Sequence, residues 1–268
     1  MSTEQETPAR RAVGSYIYGI LRAGTRIPEG LEPIQNGDGD TQGGLGLVTR
    51  DALAAVVSDV PTDRPLGSRR DLMAHEQVLN AIAQESPVLP MRFGAVVTDD
   101  DAVADELLAP HQDYFVRALD SMDGLTEFLL RGDYDEAVVL ARIVEDDPEI
   151  QQLRERIAGV DEDASYYDRI KLGEAVSKAF DRLREQDANA TLDALERFAV
   201  ATAVKEPTGE NGAVHIAFLV RRDHRTDFER AVDDLGDAWG GRVNLRLVGP
   251  TAAFDFLPEY EAPDQGAD

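Results

Sequence analysis

A chain of 268 residues with 43% hydrophobic content can bury a sizeable core in one large or two ordinary domains, which excludes disorder throughout. Its 52 acidic against 27 basic residues leave a formal charge of -25, a field that repels phosphate backbones and anionic lipid and so argues against nucleic-acid and lipid-membrane partners. The absence of cysteine removes disulfides, iron–sulfur ligation and thiol catalysis.

The only lysines are Lys171, Lys178 and Lys205, and Asp outnumbers Glu. This pattern points to a high-salt cytoplasm. At about 1 M salt the screening length is about 3 Å, so self-repulsion of the acidic surface nearly vanishes; in dilute buffer, weakened structure or assembly is expected. The first residues, MSTEQETPARR, carry no apolar core of the signal-peptide kind, and no apolar run approaches the length of a membrane span. The expectation is a soluble, cytoplasmic protein.

In chain order, residues 1–12 read as a disordered tail. The aromatic and β-branched run Val13–Leu21 predicts a strand. A Gly-, Pro- and Asp-rich loop then spans Arg22 to Gly46, and Leu53–Val60 predicts a second strand. Over Ser68–Ser86, Leu72, His75, Leu79 and Ile82 recur at helical spacing behind a Ser68/Asp71 capping box. Pro87 ends that helix. The segment VLPMRFGAVV (88–97) predicts a strand, at an edge or bulge because Pro90 has no N–H to donate. Asp99–Met122 predicts a helix with acidic residues at its start, and Glu136–Val144 (EAVVLARIV) another strand. These elements suggest an N-terminal α+β domain over 13–147.

Residues 148–195 are helical in pattern and highly charged, with Ile170, Leu172, Val176, Phe180 and Leu183 forming an apolar stripe. A turn at Pro207–Gly212, a strand Val214–Val220, a helix Thr226–Trp239 ended by Gly240-Gly241 and a strand Val243–Val248 follow. This strand, helix, strand order belongs to a ferredoxin-like unit. The fold class is therefore α+β: an N-terminal α+β domain, then a helical segment plus a ferredoxin-like C-terminal domain over 148–257, and a tail over 258–268.

Catalytic constellations are hard to assemble from these residues. His75-Glu76 opens like a zinc-protease helix, but Leu79 stands where the second ligand belongs. Asp38, Asp40, Gln42 and Gly43 mimic half a calcium loop whose twelfth position is Thr49, not Glu. No phosphate-binding loop and no G-x-S-x-G appears. Tyr166-Tyr167-Asp168-Arg169 suits either ring stacking or anchoring of a helix to its neighbour, with the anchor favoured. No catalytic residue, metal or cofactor is expected. A ferredoxin-like domain that binds a small molecule or handles nucleotides is the enzyme-class alternative, because that fold hosts many functions.

The block VLPMRFGAVVTDDDAVADELL closely resembles the central block of the GvpF/GvpL family of gas vesicle accessory proteins. Tyr16–Ile20, Leu53–Val60, His75-Glu76, Ala217–Val220 and Gly249-Pro250 with Phe254 and Phe256 resemble further family blocks, in order, over roughly Val13 to Leu257. Thr251-Ala-Ala-Phe254 departs from the Trp-Pro-Pro-Tyr common in the family after Gly-Pro. The long first loop and the charge make the chain look most like the larger L member of a halophilic archaeon.

The resemblance implies a non-enzymatic, minor component of the gas vesicle that binds the major shell protein and other accessory proteins during nucleation and growth, with no small-molecule substrate. Leu89, Pro90, Met91, Arg92 and Phe93, if their strand offers its edge, are candidate partner-binding residues. The alternative is that Leu89, Met91 and Phe93 face the core. Tyr166, Tyr167 and Arg169 in the helical region are the second candidate group.

Overall fold

A computed structural model describes residues 13–34, 44–63 and 65–258. The expected tail at 1–12, all but Pro258 of the expected tail at 258–268, and the calcium-like stretch at 38–43 lie outside the described residues. The chain divides into two compact units, one formed by 1–126 with 250–268 and the other by 127–249. The sequence placed its boundary at 147/148, about twenty residues later, and did not foresee the return of the C-terminal stretch to the first unit.

The first unit is built on a five-stranded sheet. Strands β1 (Val13–Arg22), β2 (Gly46–Arg50), β3 (Leu53–Pro61) and β4 (Leu89–Pro90) stand in the order β2-β3-β1-β4, and β5 (Val96–Val97) also pairs with β1. Central β1 and β3 are almost wholly buried and pair antiparallel along their full length, as their β-branched and aromatic content favours. Helix α1 (Arg69–Ala83) begins with the expected capping box: Ser68 Oγ accepts from Asp71 N, and Asp71 Oδ2 accepts from Ser68 N. Its buried residues Val78, Leu79 and Ile82 join Tyr16, Tyr18 and Val56 in the core.

VLPMRFGAVV is not one strand. It contributes β4 and β5 to the same side of β1 and turns between them. Pro90 does occupy the sheet edge, where its missing N–H breaks no ladder bond. The helix expected from Asp99 to Met122 is interrupted: α2 (Asp100–Ala102) widens into a π-helical stretch Val103–Leu108, and α3 (Gln112–Ser121) starts afresh beyond Pro110. The C-terminal stretch is tied in by Asn80 Oδ1, which accepts from Ala252 N, and by Gln84 Nε2, which donates to Pro250 O.

The second unit carries a four-stranded sheet of β6 (Leu125–Tyr134), β7 (Ala199–Val204), β8 (Gly212–Arg221) and β9 (Val243–Thr251), in the order β7-β8-β6-β9. With α7 (Arg225–Ala238) between β8 and β9, this is the expected ferredoxin-like arrangement. Three helices, α4 (Glu136–Asp146), α5 (Pro148–Ile157) and α6 (Glu162–Leu195), fill the first crossover. Phe128, Leu130, Ile216 and Phe218 of the sheet pack with Phe228, Val232 and Leu235, which share one face of α7.

One element is corrected outright: Glu136–Val144, expected to be a strand, is helix α4. Its β-branched content is overridden by an Asp135 side chain that accepts from Val138 N and by burial of Val139 and Ile143, four residues apart on one face. The strand that belongs here is β6, just upstream. Its second half alternates as a half-buried strand does, with Arg131 and Asp133 outward between Leu130, Gly132 and Tyr134, but Gly132 and the charges leave few apolar residues to mark it. Along α6, Leu172, Val176, Phe180 and Leu183 pack inward as expected, whereas Ile170 is exposed.

Candidate functional site

The turn between β4 and β5 is fastened from beneath by one buried histidine. His75, on α1, is hydrogen-bonded to the main chain of Met91. A neutral ring that donates to a carbonyl there leaves Nδ1 as an acceptor, so the Tyr16 hydroxyl, 2.8 Å away, donates to it. The same hydroxyl accepts from Gly94 N at 3.3 Å. Burial lowers the His75 pKa below its ordinary value, consistent with a neutral ring. Met91 N donates to Tyr18 O, and Ile17 N to Ala95 O. Phe93 sets its ring edge-on to both Tyr16 and His75, with centroids 6.3 and 5.6 Å away.

Ala95 N donates to Arg92 O, and Gly94 has φ +88. Arg92–Ala95 is thus a tight turn with a left-handed third residue, the type II geometry that favours glycine there. Leu89 and Pro90 are buried and Met91 and Phe93 half-buried, while Arg92 projects outward at the tip. Of this first candidate group, Arg92 is the one exposed side chain. His75 is committed to Tyr16 and Met91, and no group of three or more His, Cys, Asp or Glu among the described residues is arranged to hold a metal ion.

The second candidate group lies in the other unit. Tyr166 is 57% and Tyr167 79% exposed on the first turns of α6, with Val160 before them and Ile170 after, both also exposed. Anchoring of α6 to α5 falls to Asp168, paired with Arg156 through two contacts of 3.3 Å, and not to the tyrosine hydroxyls. Arg169 is exposed and donates through Nε to Ser165 Oγ. The result is an aromatic and aliphatic surface on a helix that is otherwise densely charged.

A feature the sequence reading missed holds α6 in place. Arg242, just before β9, donates through Nη1 and Nη2 to the two oxygens of Asp187 at 2.6 and 2.7 Å, and Tyr134 OH donates to the same carboxylate at 2.8 Å. The fork-to-fork pair is almost fully buried, and the guanidinium lies over Trp239 and Tyr134. The Asp187 carboxylate raises the Arg242 pKa and keeps the guanidinium charged. Burial first, and Asp187 second, push the Tyr134 hydroxyl pKa up. A faint signal existed: Asp187 continues the inward stripe of Val176, Phe180 and Leu183 at the next helical spacing.

The profile of the family described as "Gas vesicle synthesis protein GvpL/GvpF" matches residues 14–258. This chain belongs to that family. Gas vesicle protein F of Streptomyces sp. (strain CB03234) is similar, at 37% identity over 91% of this chain and 100% of the relative. Gas vesicle protein L1 of Halobacterium salinarum is 26% identical over 80% of each chain. The crystal structure of the gas vesicle protein GvpF from Anabaena sp. PCC7120 shares the fold, with a TM-score of 0.73 at 24% identity over 92% of this chain and 99% of that one.

In this GvpL/GvpF member, the block that carried the resemblance is first of all a core device: its turn closes over Tyr16 and His75. The Gly249-Pro250 corner is constrained in a similar way. Gly249 has φ +151, and a Cβ there would meet Phe128 Cδ1 at 2.6 Å and Glu127 O at 2.9 Å, so only glycine fits. No helix among the described residues is long and apolar enough to cross a membrane. The protein is a gas vesicle accessory protein, not an enzyme.

Proposed function

We propose that this protein acts by binding other gas vesicle polypeptides, the major shell protein and fellow accessory proteins, while vesicles nucleate and grow in the cytoplasm. The carrying observation is the exposed Val160, Tyr166, Tyr167 and Ile170 surface beside Arg169. Tyrosine and arginine on an exposed helical surface suit a hot spot, since they bring large contact area with a polar tip. Arg92 at the tip of the β4–β5 turn is a second contact, held in position by the rigid core beneath it. The acidic remainder of the surface would keep a complex with an apolar partner soluble.

We infer an F-type member, contrary to the halophilic L-type expected from charge and loop length. The 37% identity to an F protein against 26% to a halophilic L1 supports this reading.

Pull-down from molar KCl against each vesicle protein tests the proposal. The double variant Tyr166→Gln/Tyr167→Gln should weaken capture of at least one vesicle protein about 30-fold, the scale of a hot-spot loss, and Arg92→Glu should weaken it less. Unchanged capture by both variants, with unchanged melting, would remove both surfaces from consideration.

A further inference from the structure

Strand β7 ends the four-stranded sheet, and its residues alternate between half-buried and exposed, with Val200 57% and Val204 59% exposed. Lys205 N donates to His215 O at 2.8 Å, which makes that a hydrogen-bonded pair of the β7–β8 ladder. Antiparallel alternation then turns the N–H and C=O of Thr202 and Val204 away from β8, toward the outer edge. Edge strands of soluble proteins are commonly guarded by charge or proline. This one reads Ala-Val-Ala-Thr-Ala-Val, with neither, and a register bulge between Ala199 and Ala201 is its one visible guard.

Two features say what suits the edge. The segment Val200-Ala201-Thr202-Ala203-Val204 reads the same in both directions, so a second copy laid antiparallel and centred on Thr202 sets Thr202 against Thr202 and each Val200 against Val204. The flanking charges, Glu196, Arg197, Lys205 and Glu206, sum to zero in a chain whose total is -25. Two such segments can therefore meet without the repulsion that the rest of the surface imposes.

We propose that this chain forms a two-fold symmetric dimer through β7, joining two four-stranded sheets edge to edge around Thr202. Thr202 and its symmetry mate exchange main-chain hydrogen bonds at the axis, and the matched β-branched side chains cover the seam. The dimer forms in molar salt, where a screening length of about 3 Å removes the net repulsion between copies.

The chain has no cysteine, which allows a clean test. In Thr202→Cys, two thiols face each other across the axis at main-chain separations that a disulfide accepts. With an effective concentration near 1 mM, against about 10 μM for free chains, this variant should cross-link about 100-fold faster than Ser177→Cys, an exposed control on α6. Sedimentation in molar KCl should give a dimer for the unmodified chain and a folded monomer for Thr202→Lys, whose circular dichroism should be unchanged because Thr202 is exposed. A monomeric unmodified chain, equal cross-linking by both cysteine variants, or a Thr202→Lys protein that stays dimeric would each overturn the proposal.

Discussion

Asp187→Asn removes one negative charge and almost no volume from the centre of the second unit. The Arg242 side chain, only 11% exposed, then keeps its cation without a counter-charge, and one of its two acceptors becomes an amide nitrogen. Breaking a buried ion pair from one side costs about 3–5 kcal/mol. The rings of Trp239 and Tyr134, 5.3 and 6.0 Å from the guanidinium carbon, continue to stabilise the cation, so the lower end, about 3 kcal/mol, is expected. At about 2–4 °C per kcal/mol for a chain of this size, that is a loss of about 6–12 °C in melting temperature. Urea denaturation followed by circular dichroism in molar KCl measures it. Asp187→Leu with Arg242→Met, which removes both charges, should restore stability to within about 1 kcal/mol of the starting protein or better. Should Asp187→Asn cost less than about 1 kcal/mol, or the double variant cost the sum of its two single changes, the pair does not anchor α6 as described.

Two further outcomes follow from buried groups and backbone geometry. Gly94→Ala places a side chain in the left-handed region of the β4–β5 turn, with nothing nearby to clash, so the backbone term alone should destabilise by about 1–2 kcal/mol in the same urea assay. Tyr16, Tyr18 and Tyr134 all have pKa values raised by burial. A raised pKa means stability fully present below the unfolded value, about 10, and lost as pH rises above it; an alkaline titration of the urea midpoint should fall from about pH 10 upward, and Tyr134→Phe should flatten part of that fall.

Much of this was legible in the chain because local signals and tertiary demands agree. Ser68 and Asp71 cap α1 whatever lies beyond, and Phe228, Val232 and Leu235 mark one helix face by spacing alone. Charge and the absence of cysteine bounded the chemistry, and the LPMRFG block carried the family. Other features depended on distant residues. EAVVLARIV carries β-branched residues on a helix because Val139 and Ile143 find a core there, and β6, with Gly132 among its inward positions, shows too few apolar residues to stand out. The LPMRFG segment became a turn because Tyr16 and His75, far off in sequence, supply its hydrogen bonds. Asp187 and Arg242, separated by 55 residues, are two ordinary charges until the sheet brings β6 and β9 under α6. Spacing along the chain sets which face a residue takes, and only the packed fold sets what stands across from it.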